Sequence, residues 1–123
     1  KQAKLVCFML RNKKQLGQKG ENIAAEYYQK LGYEIIARNF YTRYGELDLV
    51  LKKNNKILVI EVKTRTNHNF GYGEESISDK KLHNIYIAHK ILREQQNLPT
   101  FFEIEVCVIY TYYNRYTIDR FII

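Results

Sequence analysis

The sequence predicts an α/β domain with one mixed β-sheet flanked by helices, in the order αβββαββ. Apolar residues recur at helical spacing in residues 20 to 31 and again in residues 76 to 96, while five other segments alternate or run β-rich. With three strands between the helices and two after them, the second helix must cross from one part of the sheet to another.

The first helix aligns Ile23, Ala24, Tyr27, Tyr28 and Leu31, and Gly32 follows as its stop. Tyr33 to Phe40 reads as a strand, Glu46 to Leu51 alternates polar residues with Leu and Val, and Lys56 to Thr64 is β-rich around Ile57-Leu58-Val59-Ile60. The second helix, Ser76 to Gln96, carries Leu82, Ile85, His89 and Leu92 on one stripe, with Ser76 or Ser78 as its cap and Pro99 beyond its exit. Phe101 to Tyr110 and Tyr116 to Ile123 are β-branched and aromatic, joined by an expected turn at Asn114-Arg115.

A chain of 123 residues, 46% hydrophobic and with one Pro, suits a single folded domain over residues 20 to 123, preceded by a basic arm over residues 1 to 19. Lys1, Lys4, Arg11, Lys13, Lys14 and Lys19 precede Glu21 without an intervening acid, so most of the net +7 charge lies in that arm. Such an arm suits a polyanion, whose counterions it would release; a solvated leader is the plainer alternative. The longest apolar run, Leu5 to Leu10, is far below the ~18 residues of a membrane span, and no small-residue cleavage site follows it. A cytoplasmic protein with no membrane partner is expected. Cys7 and Cys107 lie far apart without a CxxC, which argues against a disulfide framework or a zinc site and for buried thiols.

The chemistry concentrates in Gly45 to Lys63. If Asn54-Asn55 is a two-residue turn, Lys53 faces Lys56. Asp48 then lies across from Glu61 and Glu46 across from Lys63, on one face, with Leu47, Leu49 and Leu51 on the other. Two carboxylates about 5 Å apart repel by roughly 3 kcal/mol at an effective dielectric of about 20. Opposed acids destabilise a strand pair, and a divalent cation between them converts the repulsion into binding. An all-oxygen donor set suits Mg²⁺ or Mn²⁺. Lys63 points into the same site. The plainer alternative is a strand pair whose acids are neutralised by Lys63 and Arg65. Glu21 precedes Tyr28 by almost two helical turns, so its carboxylate is expected on the packing side, beside Ala24 and Ala25. An acid that merely complements the helix dipole is the competing account.

Gly17-Gln18-Lys19-Gly20-Glu21, Ala24, Tyr27, Gly32-Tyr33, Arg38-Asn39, Gly45-Glu46-Leu47-Asp48-Leu49, Glu61-Val62-Lys63-Thr64-Arg65 and Phe70-Gly71 resemble the YraN family of small bacterial proteins. That family belongs to the PD-(D/E)xK, or restriction-endonuclease-like, superfamily and is similar to archaeal Holliday-junction resolvases. The likeness is continuous from Gly17 to Gly71 and looser beyond Ser76, where Lys80, Ala88 and Leu92 fit the second helix. The family's usual Arg-Phe-Asp before the next strand is Glu103-Ile104-Glu105 here.

The resemblance implies a restriction-endonuclease-like fold and phosphodiester hydrolysis of DNA, including branched or structured DNA, with Mg²⁺ or Mn²⁺. It implies that Asp48, Glu61 and the Val62 backbone carbonyl hold the metal. Glu21 would hold a metal-bound water or a second ion, and Lys63 would orient or polarise the attacking water. Glu46 is a family feature without an assigned role. Lys19, Arg43, Tyr44, Arg65 and Lys80 are the expected nucleic-acid contacts: cations for phosphates, and Tyr44, with Tyr41, for stacking on unpaired bases. Sheet-face packing and surface salt bridges are the alternatives. His68, His83 and His89 are scattered and read as interior or rim residues. The Asn67 to Glu75 loop reads as a connector or a flap over substrate. A catalytically weak nucleic-acid-binding module of the same fold competes with the nuclease, and an assembly subunit pairing through residues 108 to 118 is a third reading. Cutting two strands would favour a homodimer.

Overall fold

The computed structural model describes residues 6–7, 13–66, 76–113 and 115–123. In chain order they form β1 (Val6–Cys7), α1 (Lys13–Lys30), β2 (Glu34–Thr42), β3 (Gly45–Lys53), β4 (Lys56–Arg65), α2 (Asp79–Gln96), β5 (Phe102–Tyr112) and β6 (Arg115–Ile122). His68 and the expected 67 to 75 loop lie outside the described residues. Among those residues the strands make one sheet ordered β1-β6-β5-β4-β3-β2. Only β4 and β5 pair in parallel, and α2 supplies the crossover that a parallel pair requires. The expected αβββαββ order is therefore present, with β1 added at one edge. Among the described residues no helix is long and apolar enough to cross a membrane.

Asn54 and Asn55 take left-handed backbone, with φ of 52° and 64°, as a two-residue hairpin turn demands. Lys53 consequently faces Lys56, and the pairing runs on through Leu51–Leu58 to Leu49–Ile60, the expected register. Ser78 caps α2 by accepting from the Lys81 N–H, and left-handed Asn97 ends the helix by donating to Arg93 O, two residues before Pro99.

Three expectations need correction. Helix α1 begins at Lys13 rather than near residue 20, and a short strand, Val6–Cys7, pairs with β6. Tyr112 pairs with Arg115, so Arg115 belongs to β6 rather than to the last turn, and Tyr113 takes left-handed backbone at φ 54°. Leu47 leaves the side occupied by Leu49 and Leu51. Asn39, at φ 48°, lies between Arg38, opposite Leu49, and Phe40, opposite Leu47. A left-handed residue rotates the ribbon and breaks its two-residue alternation. Phe40 and Leu47 thus pack with α2, whereas Arg38 turns to the α1 side and donates to Asn22 Oδ1.

The sheet is covered on both faces. Ala24, Ala25 and Tyr28 of α1 pack on Leu49, Leu51, Leu58, Ile60, Cys107, Ile109 and Ile118. Ile85, Ala88 and Leu92 of α2 pack on Leu47, Val50, Ile57, Val59 and Ile104. Cys107 is a buried thiol as expected, its pKa pushed up to about 12 by burial. His89 is an interior residue: its ring lies 4.0 Å from that of Phe102, and neither nitrogen has a hydrogen-bond partner among the described residues. Burial, then Arg93, lowers its pKa to about 4, so the ring is neutral near pH 7. Glu105 is held by Arg120 through two hydrogen bonds of 2.8 and 2.9 Å, and accepts from the Tyr28 hydroxyl at 3.1 Å. This pair ties α1 to β5 and β6, which gives the unusual Glu105 a place in the fold rather than on a substrate surface.

Candidate metal centre at the fork between two strands

Each mutually hydrogen-bonded pair in an antiparallel ladder recurs every second residue, so the pair after Leu49–Ile60 would be Leu47–Val62. It does not form: the β3–β4 pairing stops at Leu49–Ile60, so the expected cross-strand pairs Asp48–Glu61 and Glu46–Lys63 are not made either. In its place the Asp48 carboxylate accepts the Val62 N–H at 2.9 Å. A side chain therefore occupies the gap where the strands separate, and Asp48 sits at the base of a fork. N–H and C=O of one strand residue point to the same side, so the Val62 carbonyl also faces the fork.

Gly20 brings the helix to this fork. A Cβ at that position would collide with the Thr64 hydroxyl of β4, so only glycine permits the close approach. The next residue, Glu21, meets Glu46 and Asp48: one carboxylate oxygen from each lies within 4.8 Å of the others. Glu46, which the sequence left without a role, is thus a full member of the group. Asp48 has its pKa raised to about 7, first by burial, then by the Glu61 charge and by Glu46, against the Val62 hydrogen bond, which lowers it.

Glu61 stands apart from this trio. Its Oε1 lies 3.4 Å from Lys81 Nζ of α2, and its side chain is only 14% exposed. Its pKa is also raised, mainly by burial, while Lys81 and then Lys63 pull it down. Lys63 Nζ donates to the Ser76 carbonyl at 3.2 Å, just ahead of α2. Lys19, Lys80 and Arg65 are exposed, and Arg43 and Tyr44 form the exposed β2–β3 turn, with the guanidinium 5.3 Å from the ring centre. The structure thus brings Glu21, Glu46 and Asp48 together and places Glu61 and Lys63 beside them, each engaged by the start of α2 or the segment leading into it.

Lys81 is the functional candidate that sequence reading missed. Its signal is present: residues 81, 85, 88 and 92 follow helical spacing, so Lys81 shares the stripe of Ile85, Ala88 and Leu92, whereas Lys80 does not.

The donor set fits a hard divalent cation. It contains only carboxylate oxygens, with no thiolate or imidazole to favour a softer ion. Octahedral bonds of about 2.1 Å require neighbouring oxygens about 3 Å apart and opposite ones about 4 Å apart, so oxygens within 4.8 Å need only a side-chain rotation or an intervening water.

Residues 20–110 match the family model described as "Uncharacterised protein family UPF0102". A UPF0102 protein of Syntrophomonas wolfei is 50% identical over 58% of this chain and 63% of its own, so the chain spans under two thirds of that relative. Others, from Caldicellulosiruptor saccharolyticus and Caldanaerobacter subterraneus, are 38% and 42% identical over 80% and 77% of this chain, and over 85% and 81% of theirs.

Proposed function

The chain belongs to the UPF0102, or YraN, family, and from that membership and the acid fork we propose that it is a Mg²⁺- or Mn²⁺-dependent endonuclease hydrolysing phosphodiester bonds of DNA, branched or structured DNA included. The observation that carries the reading is the convergence of Glu21, Glu46 and Asp48 beside Glu61. Four acids gathered at a strand fork cost stability unless a cation offsets their repulsion.

Asp48, Glu46 and Glu21 would hold the ion, with the Val62 carbonyl facing the same gap and Glu61 joining when Lys81 yields it. The bound ion would supply charge stabilisation at the phosphate and a more acidic water. Lys63 lies two residues beyond Glu61, and its ammonium would orient the water or a phosphate oxygen. Lys81, released from Glu61, offers a cation for the phosphate.

The test is incubation of junction, flapped and linear DNA with Mg²⁺ or Mn²⁺, beside titration calorimetry of each ion. Metal-dependent cutting that falls at least 100-fold in Asp48→Asn is expected; no cutting of any substrate, or cutting that survives the substitution, would refute the nuclease. The Glu61–Lys81 ion pair favours one other reading, a DNA-binding module with weak catalysis. DNA binding indifferent to divalent ions, with no calorimetric heat on adding Mn²⁺, would select it.

A further inference from the structure

The sheet register puts two aromatic turns at the end of the sheet that carries the acid fork. Strand β4 runs parallel to β5 with Arg65 beside Tyr110, and the β2–β3 turn follows Thr42–Gly45 at the same end. The β5–β6 turn follows Tyr112–Arg115 there too. Three strand spacings separate the two turns, roughly 14 Å, and the opened ends of β3 and β4 lie between them.

Both tips carry the same pair of chemistries. On one side Tyr41 is 71% exposed and stands opposite Glu46, on the same face of the sheet as that acid. Arg43 and Tyr44 stack beyond it. On the other side Tyr112 is 61% and Tyr113 83% exposed, their rings 4.6 Å apart, with Arg115 next in the ladder. Tyr113 adopts φ 54°, which is costly for a bulky side chain where Asn or Gly would serve the turn. Turn formation therefore does not account for that ring, and neither does core packing. Exposed ring faces interleaved with arginines suit one ligand class: a polynucleotide with unpaired bases, whose rings stack on tyrosine while its phosphates meet guanidinium groups. Paired bases in a duplex do not offer their faces in this way.

We propose that the Tyr41/Tyr44 and Tyr112/Tyr113 tips grip unpaired nucleotides on the two sides of the acid fork, so that the protein selects single-stranded segments of its substrate. The proposal rests on the nucleic-acid reading of the fork and assigns its substrate class.

Fluorescence anisotropy with labelled dT20 and a 20-base-pair duplex in EDTA measures this without cleavage. The parent is expected to bind dT20 at least tenfold more tightly than duplex. Tyr41→Ala/Tyr44→Ala and Tyr112→Ala/Tyr113→Ala should each weaken dT20 binding at least fivefold, because each removes the rings on which bases stack. Phe101→Ala, which removes a 73%-exposed ring before β5 at the other end of the sheet, should change nothing. Equal affinity for duplex, unchanged binding in both tyrosine variants, or an equal loss in Phe101→Ala would overturn the clamp. So would a change in sedimentation without a change in dT20 affinity, which would give the tips to self-association. Metal-dependent cutting in a parent whose tyrosine variants bind normally would sink the clamp and leave the nuclease standing. Absent cutting with tyrosine-dependent dT20 binding would do the reverse.

Discussion

Asp48 holds its proton to about pH 7 in the folded chain because it is buried among like charges, whereas an unfolded aspartate loses it near pH 4. The native state therefore binds more protons than the unfolded state across that window, and metal-free stability falls as pH rises from about 4 to 7. Asp48→Asn keeps an acceptor for the Val62 N–H and removes the titration. Its stability advantage over the parent should grow across that window to on the order of 2–4 kcal/mol and then level off. Urea unfolding at pH 4, 5.5, 7 and 8 in EDTA checks the sign, and a constant difference would contradict it. At position 20 the determinant is steric. Gly20→Ala should cost about 1–3 kcal/mol through collision with Thr64. In a Thr64→Ala background the same change should be neutral or stabilising, because alanine favours a helix over glycine by roughly 0.5–1 kcal/mol. Thermal melts of the four variants close the cycle.

At the scale of elements, the β3–β4 hairpin sets the register that delivers Asp48 and Glu61 to the fork. Its turn already has left-handed backbone at both central residues. Asn55→Gly removes the Cβ penalty there without altering register, so it should stabilise the protein by about 0.5–1 kcal/mol and raise Tm by a few degrees. Metal affinity should stay the same, since no fork residue moves. A drop in Tm would mean that the turn differs from the one described. The hairpin was legible because asparagine pairs between β-rich runs have a mechanism. The face of Leu47 was not, because it depends on Asn39 rotating the neighbouring strand, and a two-residue alternation rule cannot anticipate a left-handed residue.

Across the whole molecule, helix α1 is joined to the β5–β6 side of the sheet by Tyr28, Glu105 and Arg120. The guanidinium also lies 5.0 Å from the centre of the Tyr28 ring. Removing one partner strands a mostly buried charge, so Glu105→Ala should cost about 3–5 kcal/mol. Replacing both with apolar residues, Glu105→Leu/Arg120→Met, should cost markedly less than that single change. Denaturant midpoints measure the difference, and additive losses would show the pair to be independent. Because α1 carries Glu21, Glu105→Ala should also weaken Mn²⁺ binding, whereas Asn55→Gly should not.

The amino-acid pattern alone determined that there are two helices, the five main strands, the hairpin register from Lys53–Lys56 to Leu49–Ile60 and the acidic character of the site, since these follow from periodicity, turn chemistry and charge spacing within short stretches of chain. Only the tertiary structure decided which acids meet. Glu46 joins Glu21 and Asp48 because the strands part and Gly20 lets a helix approach, while Glu61 takes Lys81 from twenty residues onward. Contacts between residues far apart in sequence depend on how packed layers seat against one another, and local pattern does not encode that seating.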